Sequence, residues 1–187
     1  MLNKKDRETG SCGFSAVEIL IVIAMMAILS AFAIPSLSSA MRDMQFAADT
    51  QNISSALNYT RLKAKSLMNP YRVAFDLGNN RWSVQKYNSG TGNWDTEQDT
   101  NDLSRGFSGS GIAFAAESGS APGTFPDASS STITFNSQGI PVSGTTPTAN
   151  NIVYISRSDT DFYAVTVALT GKVQVWKKTG DGAWCDQ

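Results

Sequence analysis

An apolar run near the N-terminus constrains this chain more than any other feature. Between Phe14 and Leu37 the only charged side chain is Glu18, and the stretch from Ile19 to Leu29 is wholly apolar. Built as an α-helix, the run is about 36 Å long, and a hydrocarbon core is about 30 Å thick. The sequence therefore predicts a transmembrane or filament-core helix over residues 14–37.

The residues before this run are short, polar and mildly basic. Residues 1–13 carry Lys4, Lys5 and Arg7, whereas the downstream flank carries the neutral pair Arg42 and Asp43. Basic residues are retained on the cytoplasmic side of a membrane. We therefore expect the N-terminus to be cytoplasmic and the C-terminal domain to lie across the membrane.

Two ordinary explanations of the run compete. A secretory signal peptide would use the small-x-small pattern Ala31-Phe32-Ala33, so that the mature chain would begin at Ile34. A plain signal anchor would not be cut. Neither explains Glu18, because a charge within an apolar span costs about 2.5–3.5 kcal/mol at its centre and marks a functional residue.

The residues around Glu18 carry a resemblance to a known family. The stretch Gly13-Phe14-Ser15-Ala16-Val17-Glu18-Ile19-Leu20-Ile21-Val22-Ile23-Ala24 resembles the class III signal of type IV pilins and type II secretion pseudopilins. The resemblance implies that a prepilin peptidase removes residues 1–13 by cutting after Gly13, on the cytoplasmic side, and methylates the new terminus at Phe14. Glu18 and Pro35 stand where that family places its glutamate and proline.

The same resemblance implies a mode of assembly. Glu18 would pair with the N-terminal amine of a neighbouring subunit, so that two charges costly alone offset each other. Pro35 lacks a backbone donor and would bend the helix, or it would simply end the membrane span. The implied partners are the prepilin peptidase, other pilins or pseudopilins, an inner-membrane assembly platform, and membrane lipid before assembly. The implied location is the bacterial inner membrane, with the C-terminal domain periplasmic, and then a pilus or pseudopilus.

The remainder of the chain predicts an α+β fold. Apolar residues at helical spacing predict an amphipathic helix over 38–69, ending near Asn69-Pro70. Residues 70–187 have the composition of a β-rich globular domain with antiparallel strands. Its predicted elements are a hairpin over 71–87, short apolar pieces at 112–115 and 133–135 within mobile loops spanning 88–150, and strands at 152–156, 163–169 and 172–177.

A second resemblance lies in that domain. Thr134-Phe135-Asn136-Ser137-Gln138-Gly139, Ala164-Val165-Thr166-Val167 and Gly171-Lys172-Val173-Gln174-Val175 look like segments of the GspH/FimT-type minor pseudopilins. This resemblance implies two β-sheets packed with the N-terminal helix. It also implies a subunit that primes assembly or sits at the tip of a secretion pseudopilus or type IV pilus.

Composition argues against catalysis. The chain has no histidine, which removes the commonest general base and metal ligand, so we expect no enzyme activity, cofactor or metal site. Asp95, Glu97, Asp99 and Asp102 are interpreted as a solvated acidic loop, with weak Ca²⁺ binding as the alternative. Cleavage after Gly13 would leave Cys185 as the only cysteine, either a tolerated tail residue or a link to another subunit.

The last predicted hairpin is the candidate surface for DNA. At period two, Lys172, Gln174, Trp176 and Lys178 share a face, while Val173 and Val175 point to the core. Cations beside an aromatic ring can hold phosphates and stack a base. Some FimT-like pilins are DNA receptors with Gly-Arg-x-Arg at this place, but Gly171-Lys172-Val173-Gln174 keeps one cation only. The candidate DNA-binding residues are Lys172, Trp176, Lys177 and Lys178; the ordinary alternative is an amphipathic edge strand whose lysines discourage pairing.

The sequence thus predicts a minor pilin or pseudopilin, a structural subunit without catalytic activity. It leaves open whether the system is a type IV pilus or type II secretion. Two alternatives also stay open. One is a pilus-tip DNA receptor for natural transformation, and the other is a membrane-anchored periplasmic binding module that never polymerises.

Overall fold

The computed structural model describes residues 15–103, 112–115, 121–149, 151–157, 161–180 and 182–187, without the side chains of 32–36 and 98–100. The chain divides into two compact units, one ending at Met41 and one spanning Arg42–Gln187. The predicted leader, the cleavage residues Gly13 and Phe14, and the side chain of Pro35 lie outside the described residues. Among the residues that are described, no helix is both long enough and apolar enough to cross a membrane.

One long helix, α1, runs from Ala16 to Ser66. Its start is capped by Ser15, whose Oγ accepts a hydrogen bond from the backbone nitrogen of Val17 at 3.4 Å. The backbone nitrogen of Glu18 donates to the carbonyl of Ser15 at 3.0 Å. Ser15 thus acts as the N-cap of α1, because its side-chain oxygen satisfies one of the free backbone donors of the first turn.

The end of α1 uses an unusual residue. The backbone nitrogen of Asn69 donates to the carbonyl of Ala64 at 3.3 Å, which is the long-range bond of a Schellman cap. The residue that turns the chain is Met68, with φ at 50°, where glycine is the usual choice. Pro70 follows and cannot continue the helix, so the predicted stop at Asn69-Pro70 is confirmed to within three residues.

The first antiparallel sheet, sheet 1, has six strands in the order β3-β2-β1-β5-β6-β7. The predicted hairpin over 71–87 is present as β1 and β2. The strand bounds are β1 Tyr71–Asp76, β2 Arg81–Asn88, β3 Asn93–Asp102, β5 Thr132–Phe135, β6 Pro141–Ser143 and β7 Thr146–Pro147.

The second antiparallel sheet, sheet 2, has five strands in the order β11-β10-β9-β8-β4. Its central strand β9 is buried along its whole length, so it carries apolar or small residues on both faces. The strand bounds are β4 Ala113–Ala115, β8 Asn151–Ser156, β9 Phe162–Val167, β10 Val173–Lys178 and β11 Cys185–Asp186. The expected α+β fold with two sheets is confirmed.

The main core lies between the C-terminal part of α1 and one face of each sheet. The helix contributes Ile53 and Leu57, sheet 1 contributes Phe135, and sheet 2 contributes Val165, all fully buried. An edge-to-face contact at 4.7 Å joins Phe46 of α1 to Tyr163 of β9. Because these residues all belong to the Arg42–Gln187 unit, that unit has its own hydrophobic core.

The acidic residues predicted as a loop form a strand instead, and that prediction was wrong. Asp95, Glu97 and Asp102 all lie in β3, which pairs with β2 over ten residues interrupted by register shifts. The segment has few apolar residues because β3 is a sheet edge, where polar residues are favoured. The tight turn after Asn88, whose side-chain oxygen accepts from the backbone nitrogen of Gly90, brings β3 back alongside β2.

Within the interval 88–150, β4 and β5 lie on the two short apolar pieces singled out at 112–115 and 133–135, whereas β6 and β7 lie where only loops were predicted. The irregular stretch 121–131 is hydrogen-bonded to sheet 2. The Tyr154 hydroxyl donates to the Pro126 carbonyl at 2.8 Å, and the Ser130 backbone nitrogen donates to the Ile152 carbonyl at 2.7 Å. This stretch thereby covers a small second cluster that includes Ile152, Tyr154 and Trp176.

Candidate functional site

The N-terminal unit exposes apolar side chains on every side of α1. Consecutive residues Ile19, Leu20, Ile21, Val22 and Ile23 are between 49% and 69% exposed. Successive helical residues point about 100° apart, so five in a row surround the axis. A helix that is apolar all round is stable only when lipid or other helices cover it. This surface therefore requires a partner.

Glu18 is the single charged group in that surface over residues 16–31. It lies in the first turn of α1 and is exposed. A carboxylate there is favoured by the positive end of the helix dipole. Glu18 is thus available to a neighbouring cation.

Arg61 of α1 joins turns from the two sheets. Its Nε donates to the Gly139 carbonyl at 3.3 Å, in the turn between β5 and β6. Its terminal nitrogen donates to the Thr170 carbonyl at 2.9 Å, in the turn between β9 and β10. The helix therefore fixes both sheets at one point.

Two glycines allow this close approach. Gly139 and Gly171 have φ angles of 71° and 77°. A side chain at Gly171 would place its Cβ 2.5 Å from Arg61 Nε and 2.8 Å from the Gly139 carbonyl oxygen. The segments 134–139 and 171–175, which carried the second sequence resemblance, thus meet under Arg61. The glycines of both segments are explained by their close packing against side chains of α1. Nothing in the sequence had singled out Arg61.

The candidate DNA-binding hairpin is less open than the sequence suggests. The Trp176 indole nitrogen donates to Thr166 Oγ1 at 3.0 Å, and its ring packs on the second cluster. Val175 is in the main core and Val173 packs against it, so the predicted inward valines are confirmed. The edge-strand interpretation was wrong, because β11 pairs with β10 at Trp176 and Lys177.

The lysines of this hairpin do not form one cluster around Trp176. Alternation along β10 places Lys177 on the face opposite Trp176 and Lys178, and its ammonium lies 5.7 Å from the centre of the Tyr163 ring. Lys172 precedes β10 and is exposed beside the turn that Arg61 holds. The structure therefore divides the four candidate residues between two faces and a turn.

A polar cluster links α1 to the edge of sheet 1. Lys63 Nζ lies 3.3 Å from a carboxylate oxygen of Glu97 in β3. The hydroxyl of Tyr71, which is fully buried, faces the same carboxylate without reaching hydrogen-bond geometry with a described group. The Tyr71 hydroxyl first, and the Lys63 ammonium after it, lower the pKa of Glu97. Burial raises the pKa of Tyr71, so this hydroxyl stays protonated.

The described residues contain no group of three or more His, Cys, Asp or Glu side chains placed to hold a metal ion. In β3, Asp102 instead pairs with Arg81 at 2.7 Å, and Asp95 accepts a hydrogen bond from Asn88 at 2.8 Å. Cys185 is exposed and carries a free thiol.

Comparisons with known proteins give one family match and a similar fold. The model of the family described as type II transport protein GspH matches residues 49–171. A structure of the minor pseudopilin EpsH from the type 2 secretion system of Vibrio cholerae aligns with a TM-score of 0.50 and 14% identity, over 70% of this chain and 95% of that one.

A second EpsH structure from the same organism aligns with a TM-score of 0.46 and 15% identity, over 74% and 96% of the two chains. No curated protein sequence gives a significant match. The family match covers the last third of α1, all of sheet 1, and strands β4, β8 and β9 of sheet 2. It ends at Gly171, the glycine that packs against Arg61.

Proposed function

The chain belongs to the GspH family of type II transport proteins, and we propose that it acts as a minor pseudopilin that primes assembly or sits at the tip of the pseudopilus. Family membership favours type II secretion over a type IV pilus, a choice that the sequence had left open. The role is structural and requires interaction with other pseudopilins. We propose no catalytic activity for the chain.

The observation that carries this function is the apolar exposure of α1 from Val17 to Leu29. Burying one such side chain is worth about 1.5–3 kcal/mol, so covering the set supplies a large driving force for insertion into lipid or into a bundle of helices. The Arg42–Gln187 unit has a separate core and does not need this surface to fold. The first helix segment is therefore free to serve assembly.

Processing completes the proposal. Prepilin peptidase would cut between Gly13 and Phe14 and methylate Phe14, and the helix would be held in the inner membrane until assembly. The basic leader supports a cytoplasmic N-terminus, and the globular unit would then be periplasmic. The bend or end of the membrane span that we attribute to Pro35 remains a prediction.

The test of assembly separates two roles of Glu18. Glu18→Gln keeps nearly the same shape but loses the charge, whereas Glu18→Asp retains the charge on a shorter side chain. We expect Glu18→Gln and Glu18→Ala to be cleaved normally but to be missing from sheared pseudopili, with Glu18→Asp partly incorporated. Ser15→Ala, which weakens the cap and keeps the charge, is the matched control and should be incorporated. Normal incorporation of Glu18→Gln would rule out charge pairing.

The DNA-receptor alternative has a simple test. It predicts a gel shift by residues 42–187 that weakens with salt and is lost when Lys172, Lys177 and Lys178 are all changed to alanine. A shift that survives the triple change would place DNA elsewhere. The contacts of Trp176 with Thr166 and of Arg61 with Thr170 do not favour this alternative, because they occupy the ring nitrogen and the hairpin tip.

The non-polymerising binding module makes the opposite prediction for Glu18. It requires the carboxylate to be dispensable, so the Glu18→Gln experiment also decides between assembly and this alternative.

A further inference from the structure

A groove of about 480 Å³ opens on the face of sheet 1 that points away from the core. It lies where β1 begins, β2 ends and β3 begins. Pro70, Tyr87, Trp94 and Val142 form its apolar lining, and Thr134 and Asn136 contribute polar atoms. None of its described lining residues is charged. Volume and lining are those of a site for a large, uncharged group.

Two aromatic rings form the wall of this groove. Tyr87 and Trp94 are cross-strand partners, and their rings meet edge to face at 5.3 Å. Aromatic pairs in this geometry hold each other in place beyond the effect of their buried area. The groove is therefore preformed, which lowers the conformational cost of binding.

A cation lies beside the wall. The Arg72 guanidinium is 4.3 Å from the centre of the Trp94 ring, and its Nε donates to Gln85 Oε1 at 2.7 Å. None of the ion pairs between described residues includes Arg72. Burial lowers the pKa of Arg72, which reflects a charge partly removed from water.

Exposed apolar residues extend the surface beyond the groove. Leu67 and Met68 are 51% and 76% exposed, and Met68 lies two residues before Pro70, within about 7 Å along the chain. Met68 has the left-handed backbone that glycine adopts without strain. A flexible methionine held exposed at such a position suits contact with another molecule.

We propose that this groove binds an extended segment of a partner protein in which a large apolar residue lies next to an aspartate or glutamate. The apolar side chain enters between Tyr87, Trp94 and Val142, and the carboxylate pairs with the terminal nitrogens of Arg72. Trp, Tyr and Arg are the residues that dominate binding energy at protein interfaces. This inference goes beyond assembly by α1, because it concerns the opposite face of sheet 1.

Charge decides the class of partner. A nucleic acid needs several phosphate contacts, and the described residues at the groove supply one cation, Arg72, beside an uncharged lining. A free anion would leave the apolar lining exposed. An acidic and apolar peptide satisfies both features, and the carboxylate would form a charge-assisted, bidentate pair with the guanidinium.

The test uses the full-length protein in detergent micelles and a phage-displayed library of random decapeptides. We expect selection to enrich peptides with Asp or Glu within two positions of Phe, Trp, Leu or Ile. The leading peptide is then labelled, and its Kd is measured by fluorescence anisotropy. Arg72→Gln should weaken binding about tenfold or more, because it removes the charge pair.

Arg81→Gln is the matched control, because Arg81 is on the same sheet but already pairs with Asp102. Thr145→Trp fills the groove from an exposed turn without removing a core contact, and it should abolish binding. Enriched peptides without the acidic and apolar pair would overturn the proposal. Equal binding by the Arg72→Gln and Arg81→Gln variants, or binding that survives Thr145→Trp, would also overturn it. Glu18→Gln should leave peptide binding unchanged. The peptide-binding proposal and the assembly proposal can therefore be refuted separately.

Discussion

Replacing Gly171 by alanine tests the junction that Arg61 makes between the helix and the two sheets. The added Cβ would lie 2.5 Å from Arg61 Nε and 2.8 Å from the backbone oxygen of Gly139. The Gly139 carbonyl belongs to the backbone and cannot rotate away as a side chain can. The added Cβ would therefore displace the turn around Gly139 or the Arg61 side chain. Gly144 is the matched control, because its φ is 63° and an added Cβ would meet nothing within 4 Å.

Gly171→Ala and Gly144→Ala both force alanine into a left-handed backbone, but only Gly171→Ala also creates a steric clash. A left-handed alanine costs about 1–2 kcal/mol at either position. Overpacking adds about 1–3 kcal/mol at Gly171 only. We therefore expect the free energy of unfolding to fall by roughly 1–2 kcal/mol for Gly144→Ala. For Gly171→Ala the fall should be about 2–5 kcal/mol.

The measurement is urea unfolding of the Arg42–Gln187 unit, followed by circular dichroism. The midpoint should shift while the slope m stays constant, because the change acts on the folded state. Equal losses for the two variants, within about 0.5 kcal/mol, would refute the close packing of Gly171 on Arg61. An intermediate loss for Gly139→Ala is expected, since its Cβ meets the flexible side chain of Lys65.

Three further predictions concern the same unit. Met68→Gly should raise the free energy of unfolding by about 0.5–1 kcal/mol, because glycine adopts the left-handed backbone at the end of α1 without strain. Part of that gain is lost because glycine also makes the unfolded chain more flexible. A lower free energy of unfolding in urea would contradict this prediction. Leu57→Ala should cost about 2–5 kcal/mol, whereas Leu62→Ala on the exposed side of α1 should cost under about 0.5 kcal/mol; similar melts would contradict the burial of Leu57. The pKa of Glu97 is lowered in the folded state, so its contribution to stability is present above its ordinary value of 4.5 and is lost as pH falls through the folded pKa. Glu97→Gln should therefore be less stable than the parent at pH 7, and the difference in the free energy of unfolding should shrink as the pH falls below 4.5; a difference that stayed constant with pH would contradict the shift.

Sequence patterns predicted the elements that bury apolar residues regularly. The helix to Ser66, the hairpin of β1 and β2, and the strands around Val153, Val165 and Val175 all carry such a pattern. Edge strand β3 carries almost none, because its polar residues face solvent and its pairing depends on the turn after Asn88. A periodicity argument therefore cannot distinguish it from an acidic loop.

Sites formed by distant residues were the least predictable. Arg61 meets carbonyls 78 and 109 positions away, so no local pattern marks it. The same holds for Arg72, whose position over Trp94 depends on the pairing of three strands. Trp176 was predicted as an exposed ring because the cover provided by 121–131 has no periodic signal. Glu18, in contrast, was identified because a charge in an apolar run is visible in the sequence itself.

The most direct test of the central claim is the intact mass of the protein recovered from membranes of a host with and without prepilin peptidase. A pseudopilin is expected to begin at N-methylated Phe14 when the peptidase is present, and to retain residues 1–13 when it is absent. A chain that begins at Ile34 would instead be an exported soluble protein. An uncut chain in both hosts would contradict assembly through a processed N-terminal helix.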